Sequence, residues 1–118
     1  MNRILFACVL LSFTGGALAA DFGGQWKIVA TIGGKPSEIR CTLQHKGDAL
    51  AGACKPAQFD PSEVTGTVAG ANAKWSYDVV FNGNTNHVEY EAVLGADGKL
   101  AGTLHLGAMP VSFTAVRE

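Results

Sequence analysis

Residues 41–54 read Cys41-Thr42-Leu43-Gln44-His45-Lys46-Gly47-Asp48-Ala49-Leu50-Ala51-Gly52-Ala53-Cys54. Apolar and polar side chains alternate on both sides of Gly47-Asp48, which is the pattern of two half-buried strands joined by a tight turn. With Gly47-Asp48 as a two-residue turn, Lys46 faces Ala49, His45 faces Leu50, Leu43 faces Gly52 and Cys41 faces Cys54. A slip of one residue would turn a whole strand inside out, so alternation fixes the pairing. Counting outward from the turn places the cysteines at a non-hydrogen-bonded pair, where opposed Cα atoms lie about 4.5 Å apart. That is within disulfide reach. We expect a Cys41–Cys54 bridge that clips a loop of about a dozen residues and stabilises the domain by roughly 2–3 kcal/mol.

The same alternation recurs along the rest of the chain, broken by Gly, Asn, Asp and Pro about every 8–12 residues, with no sustained helical period. The expected strands cover residues 24–32, 38–45, 49–54, 64–68, 73–81, 87–94, 100–106 and 111–117. Gly66 is expected opposite Trp75 around Gly70-Ala71, and Tyr90 opposite Leu104 around Asp97-Gly98. Phe81 is placed opposite Val88 around a loop at 82–86, and Leu104 opposite Phe113 after a return at 107–110. Residues 55–62, with Pro56 and Pro61, form the one long connection and the expected mobile loop. Gly47 to Gly52 is similar to Asp97 to Gly102; turn chemistry with alternation produces such a likeness, and duplication of a hairpin is the alternative. In both, the Gly after the Leu is expected to make room for a bulky neighbour.

Successive short hairpins suggest an all-β, antiparallel up-and-down barrel of about eight strands, which removes exposed edges by closing on itself. A β-sandwich would use the same strands. One pair of residues favours the barrel. Trp26 opens the first strand, and Arg117 ends the last with the inward parity of Val111, Phe113 and Ala115. If first and last strands become neighbours, the Arg117 guanidinium can lie on the Trp26 ring.

Gly24-Gln25-Trp26 and the late Arg117 resemble the calycin-like barrels: lipocalins, fatty-acid-binding proteins and small periplasmic metalloprotease inhibitors. The likeness covers residues 22–27 and 113–117, together with the strand count. The resemblance implies a closed barrel with Trp26 and Arg117 in structural roles. An export signal, about 100 mature residues and one early disulfide also match the outline of the inhibitors, which implies inhibition of a secreted protease as one function.

The start of the chain reads as a secretory signal. Arg3 supplies a positive n-region, residues 4–13 are apolar but too short to span a bilayer, and Ala17-Leu18-Ala19 has the form that signal peptidase cuts. We expect residues 1–20 to be removed, leaving a single domain over 21–118 in the periplasm or outside the cell. Cys8 leaves with the signal, and Cys41 and Cys54 remain to pair in an oxidising compartment. Without Arg3 the chain holds eight basic and ten acidic residues, a net charge of −2, which argues against nucleic acid or anionic membrane as partners. No further apolar stretch is long enough to span a membrane.

The inward set includes Trp75, Tyr77, Phe81, Tyr90 and Phe113, with His45 as a lone ionisable group near Trp26. An eight-stranded barrel either fills with side chains or holds one small ligand. For so short a chain we expect a filled core. Trp75, Tyr77, Tyr90 and Phe113 are the ligand-binding candidates if it is open. Buried Tyr77 and Tyr90 hydroxyls need partners, supplied by each other, by backbone or by a ligand.

On the outer face, His87, Glu89 and Glu91 share one side of a strand, with His105 expected beside Glu89 and Asp78 beside Glu91. Two imidazoles with carboxylates can hold Zn²⁺ or Cu²⁺, but a solvated wall has the same composition. Without Cys ligands or a compact motif we expect no metal and no cofactor. No H-E-x-x-H, G-x-S-x-G or Gly-rich phosphate loop occurs, so no enzyme is expected. The expected function is a non-catalytic exported binding module for a small apolar ligand or a protein partner. The alternatives are an inhibitor of a secreted hydrolase acting through residues 20–23 or 55–62, and a structural envelope component.

Overall fold

A computed structural model describes residues 21–118; the expected signal, with Cys8, lies outside the described residues. The strands are β1 (Gly24–Ile32), β2 (Lys35–Lys46), β3 (Ala49–Pro56), β4 (Ser62–Ala69), β5 (Asn72–Phe81), β6 (Asn84–Leu94), β7 (Leu100–Leu106) and β8 (Met109–Arg117). Each pairs antiparallel with the next, and β8 returns to pair with β1, so the eight strands form a closed barrel rather than a sandwich. Closure runs from Trp26↔Arg117 to Ala30↔Phe113. Several strands are longer than the alternation suggested, because tight turns let pairing continue almost to the chain reversals.

The β2–β3 hairpin has the expected register, with Lys46 opposite Ala49 and Cys41 opposite Cys54. The cysteines are bonded, and their Cα atoms lie 4.0 Å apart. Gly66 opposite Trp75 and Tyr90 opposite Leu104 are also as expected.

Two later hairpins differ. Phe81 pairs with Asn84, not Val88, because Asn82-Gly83 makes the reversal alone, with φ of 53° and 75°. Asn-Gly is the pair best suited to a two-residue hairpin turn whose central residues both need positive φ. Asp78 consequently lies opposite His87, and Glu91 opposite Lys74 rather than beside Asp78. In the same way Leu104 pairs with Val111 and Phe113 with Gly102, since Gly107-Ala108 turns the chain and Met109 and Pro110 already belong to β8. Pro110 is tolerated there because β8 pairs with β1 only from Phe113 onward, so its missing N–H leaves no ladder bond unmade.

The inward side chains form one core cluster that includes Trp26, Ile28, Leu43, Leu50, Val64, Trp75, Tyr90 and Phe113. Glycines let the strands approach closely around these large groups. A Cβ on Gly66 would lie 2.6 Å from the Trp75 Cβ, so Gly66 is the shelf on which Trp75 sits. Gly66 also admits the Lys74 carbonyl, and Gly52 and Gly102, the corresponding glycines of the two similar segments, likewise admit neighbouring backbone: a Cβ there would strike the carbonyls of Thr42 and Glu91.

Antiparallel order sends the β1–β2, β3–β4, β5–β6 and β7–β8 connections to one end of the barrel. The other end receives the remaining turns and both termini of the described chain.

Candidate functional site: two unlike barrel ends

The terminal end is sealed. Phe22 is fully buried, its carbonyl accepts the Trp26 indole Nε1–H at 2.8 Å, and its ring meets His45 edge-on. The Phe22 N–H donates to His45 Nδ1 at 3.2 Å, and His45 Nε2 lies 2.8 Å from the Gly47 carbonyl. Neutral imidazole with its proton on Nε2 satisfies both contacts. Arg117 lies over the Trp26 ring with its guanidinium carbon 4.4 Å from the centroid, and it donates to the carbonyls of Gly23 and Asp21. Residues 21–23 therefore form a plug held from three sides and not a free arm. Beside it, Glu118 receives a two-pronged bond from Arg40, at 2.8 and 3.0 Å, and the guanidinium holds its carboxyl below the ordinary carboxylate range.

In the interior the four candidates converge. Trp75 stacks on Tyr90 with centroids 4.9 Å apart, Phe113 meets Tyr90 edge-on at 5.4 Å, and the Tyr77 and Tyr90 hydroxyls bond at 2.7 Å. The two tyrosines thus satisfy each other. Burial pushes the Tyr77 hydroxyl up to about 12, against a smaller opposing effect of its bond to Tyr90. Tyr90 is raised by burial first, then by the nearby Tyr77. Trp75 is 1% exposed, and its Nε1–H meets no acceptor among the described residues. It is a buried donor of the kind that normally finds a partner.

The opposite end leaves large apolar side chains exposed. Phe81 was expected inside and has the inward parity of Trp75 and Tyr77, yet it is 54% exposed. The reason is length. β4 pairs with β5 no further than Ser76, and β7 reaches β6 only at Val88, so the β5–β6 hairpin projects beyond its neighbours. Inward parity at its tip no longer faces a core. Phe59 of the β3–β4 connection meets Phe81 edge-on at 5.9 Å, Val80 is 65% exposed, and Met109 is exposed on the same end. Between residues 58–62 and 78–82 lies a groove of about 450 Å³, with Asp60 and Asp78 at its edge. A second depression, of about 530 Å³, lies on the outer wall around Val93, Thr114 and Val116.

The outer carboxylates and imidazoles do not converge. His87 Nδ1 lies 2.8 Å from the Asp78 carboxylate, His105 is opposite Glu89, and Glu91 sits between Lys74 and Thr103. Among the described residues no three His, Cys, Asp or Glu side chains gather closely enough to hold a metal ion.

Phe59 and Val80 were not singled out from the sequence. The Asn82-Gly83 pair was the available signal: taken as the whole turn, it puts Val80 and Phe81 at a hairpin tip. No protein-family model matches this chain, and no curated protein matches it.

The tyrosine pair gives the fold a defined alkaline limit. A hydroxyl whose pKa is raised on folding keeps its proton when the unfolded chain has lost it, so this stability is complete below about pH 10 and is lost as pH rises toward 12. Urea unfolding should give a constant midpoint from neutral pH to about pH 9, then a steep fall worth roughly 2–3 kcal/mol from Tyr77 alone. The Tyr77→Phe/Tyr90→Phe double variant should lose much less. A tyrosinate absorption band that grows in at the ordinary tyrosine pH while the protein remains folded would contradict the buried pair.

Proposed function

We infer that this chain is an exported, non-catalytic binding module that takes a protein partner at the open end of its barrel. The observation that carries the reading is the gathering of exposed Val80 and Phe81 around half-buried Phe59 at one end, beside a groove, while the other end is sealed. Large apolar groups exposed together, rather than scattered, mark surfaces that are covered in use. Aromatic anchors flanked by polar groups are also the usual make-up of a contact centre.

Export is supported by the signal-like leader and by the disulfide, a bond that persists in oxidising compartments. Among the described residues no helix is long and apolar enough to cross a membrane. The non-catalytic reading rests on the sequence, which holds no H-E-x-x-H, G-x-S-x-G or Gly-rich phosphate loop.

The eight-stranded barrel with Arg117 over Trp26 is consistent with the calycin-like resemblance, and the small inhibitors within it suggest a secreted hydrolase as the partner. Of the two segments expected to serve such a role, 55–62 lines the groove with its residues 58–62, whereas Phe22 ties residues 21–23 into the barrel. A photo-crosslinking side chain placed at Phe81 should yield a discrete adduct in the exported fraction, and one at Lys99, on the opposite end, should not. Equal adducts from both positions, or none from Phe81, would remove the reading.

A small apolar ligand in the interior is the second reading, favoured by the unpartnered Trp75 Nε1–H, which an acceptor atom on a ligand would satisfy. It requires the core to open around Trp75. Titration with a panel of hydrophobic probes should then shift the tryptophan emission, and an unchanged spectrum across the panel would exclude it.

A further inference from the structure

The β4–β5 ladder stops short of the open end. Its last pair is Thr65↔Ser76, although β4 starts at Ser62 and β5 continues to Phe81. Beyond that pair, Ser62 Oγ donates to the Asp78 carbonyl at 2.8 Å across the gap. The direction of the β5 backbone groups follows from the turn. Residues flanking a two-residue turn exchange both of their hydrogen bonds, so Phe81, Val79 and Tyr77 bond to β6, and the groups of Asp78 and Val80 point to the β4 side. Ser62 occupies the Asp78 carbonyl. The Asp78 N–H and both main-chain groups of Val80 then have no ladder partner among the described residues, and they border the groove lined by residues 58–62 and 78–82.

We propose that this splayed edge of β5 binds an extended peptide segment of a partner protein as an added strand, and that the segment alternates apolar with basic side chains. The inference rests on the protein-docking reading above and adds the conformation and chemistry of the partner. An unpaired strand edge is a template for main-chain bonding, and pockets for alternate side chains give such binding its specificity. A strand added to β5 sends every second side chain to the face of Val79 and Phe81, next to Phe59, where apolar side chains of the partner would cover them. The intervening side chains go to the face of Asp78 and Val80. Asp60 and Asp78 line the groove and no Lys or Arg does; His87 meets one oxygen of Asp78, and complementarity of charge with the remaining carboxylate oxygens selects lysine or arginine there.

The test uses the full mature chain and a short capped peptide of alternating lysine and valine. On saturation the exchange of the Val80 amide hydrogen, followed by nitrogen-15 NMR, should slow by about tenfold or more, the effect of one added main-chain bond. Val80→Pro removes that donor without touching the β6 ladder and should weaken binding by a similar factor. Asp78→Lys should abolish binding of the lysine peptide and admit its glutamate counterpart, which keeps the test intact if the proline variant folds poorly. No binding at millimolar peptide, or an unchanged Val80 exchange rate at saturation, overturns the proposal. If Phe81→Ser weakens binding while Val80→Pro does not, the apolar end docks a partner without strand addition, and the augmentation falls while the docking reading stands. Insensitivity to both substitutions removes both. Concentration-dependent dimerisation that Val80→Pro abolishes would assign the edge to a second copy and overturn the peptide assignment.

Discussion

Pairing of β1 with β8 is the constraint on which the rest of the molecule depends. An open sheet of this length would present two edges to solvent; joining them pairs residues 26–30 with 113–117 and encloses the inward faces of all eight strands. Arg117 on the Trp26 ring lies at the end of that seam, and the Glu118 N–H continues it by donating to the Gln25 carbonyl at 2.9 Å. Because the seam brings the first and last strands together, the segment preceding β1 meets the end of β8. Phe22 can then fold under the barrel and seal it, with Arg117 bonded to the carbonyls on either side of Phe22.

Closure also makes the two ends unlike. The sealed end uses the chain termini as its stopper, whereas the other end is formed by hairpins of unequal length. There β5 and β6 run beyond β4 and β7, so the local ladder ends before the strands do. Side chains that continue the inward alternation emerge into solvent as Phe81, and backbone groups that would continue the β4 ladder are left at an edge. Apolar exposure and a stretch of strand edge outside the ladder coincide because one mismatch in strand length produces both.

Much of this architecture is legible in the residues. Gly47-Asp48 and Gly70-Ala71 fix their hairpins because each offers a residue suited to positive φ, and Gly47 and Gly70 adopt φ of 60° and 61°. Trp26 and Arg117 are foreseeable neighbours from parity alone. The misjudged turns at Asn82-Gly83 and Gly107-Ala108 moved the pairing by four and by two residues. Both shifts are even, so the inward parity of Tyr77, Tyr90 and Phe113 survived them. The candidate site was less legible. Whether Phe81 lies in the core or outside it depends on where β4 and β7 stop, which is set by strands distant in sequence and not by any pattern around Phe81 itself. The unpartnered Trp75 Nε1–H is likewise a product of packing, since alternation says that Trp75 points inward but not what its ring meets.

The seam is tested most directly by a nuclear Overhauser spectrum of the mature protein. The Glu118-to-Gln25 bond marks Ile28 and Ala115 as a non-hydrogen-bonded pair, in which the two Hα atoms face each other across adjacent strands. A strong Hα–Hα cross-peak between Ile28 and Ala115 is the predicted result. Its absence, in a folded sample that shows the corresponding peak between Cys41 and Cys54, would mean that the sheet does not close between β1 and β8.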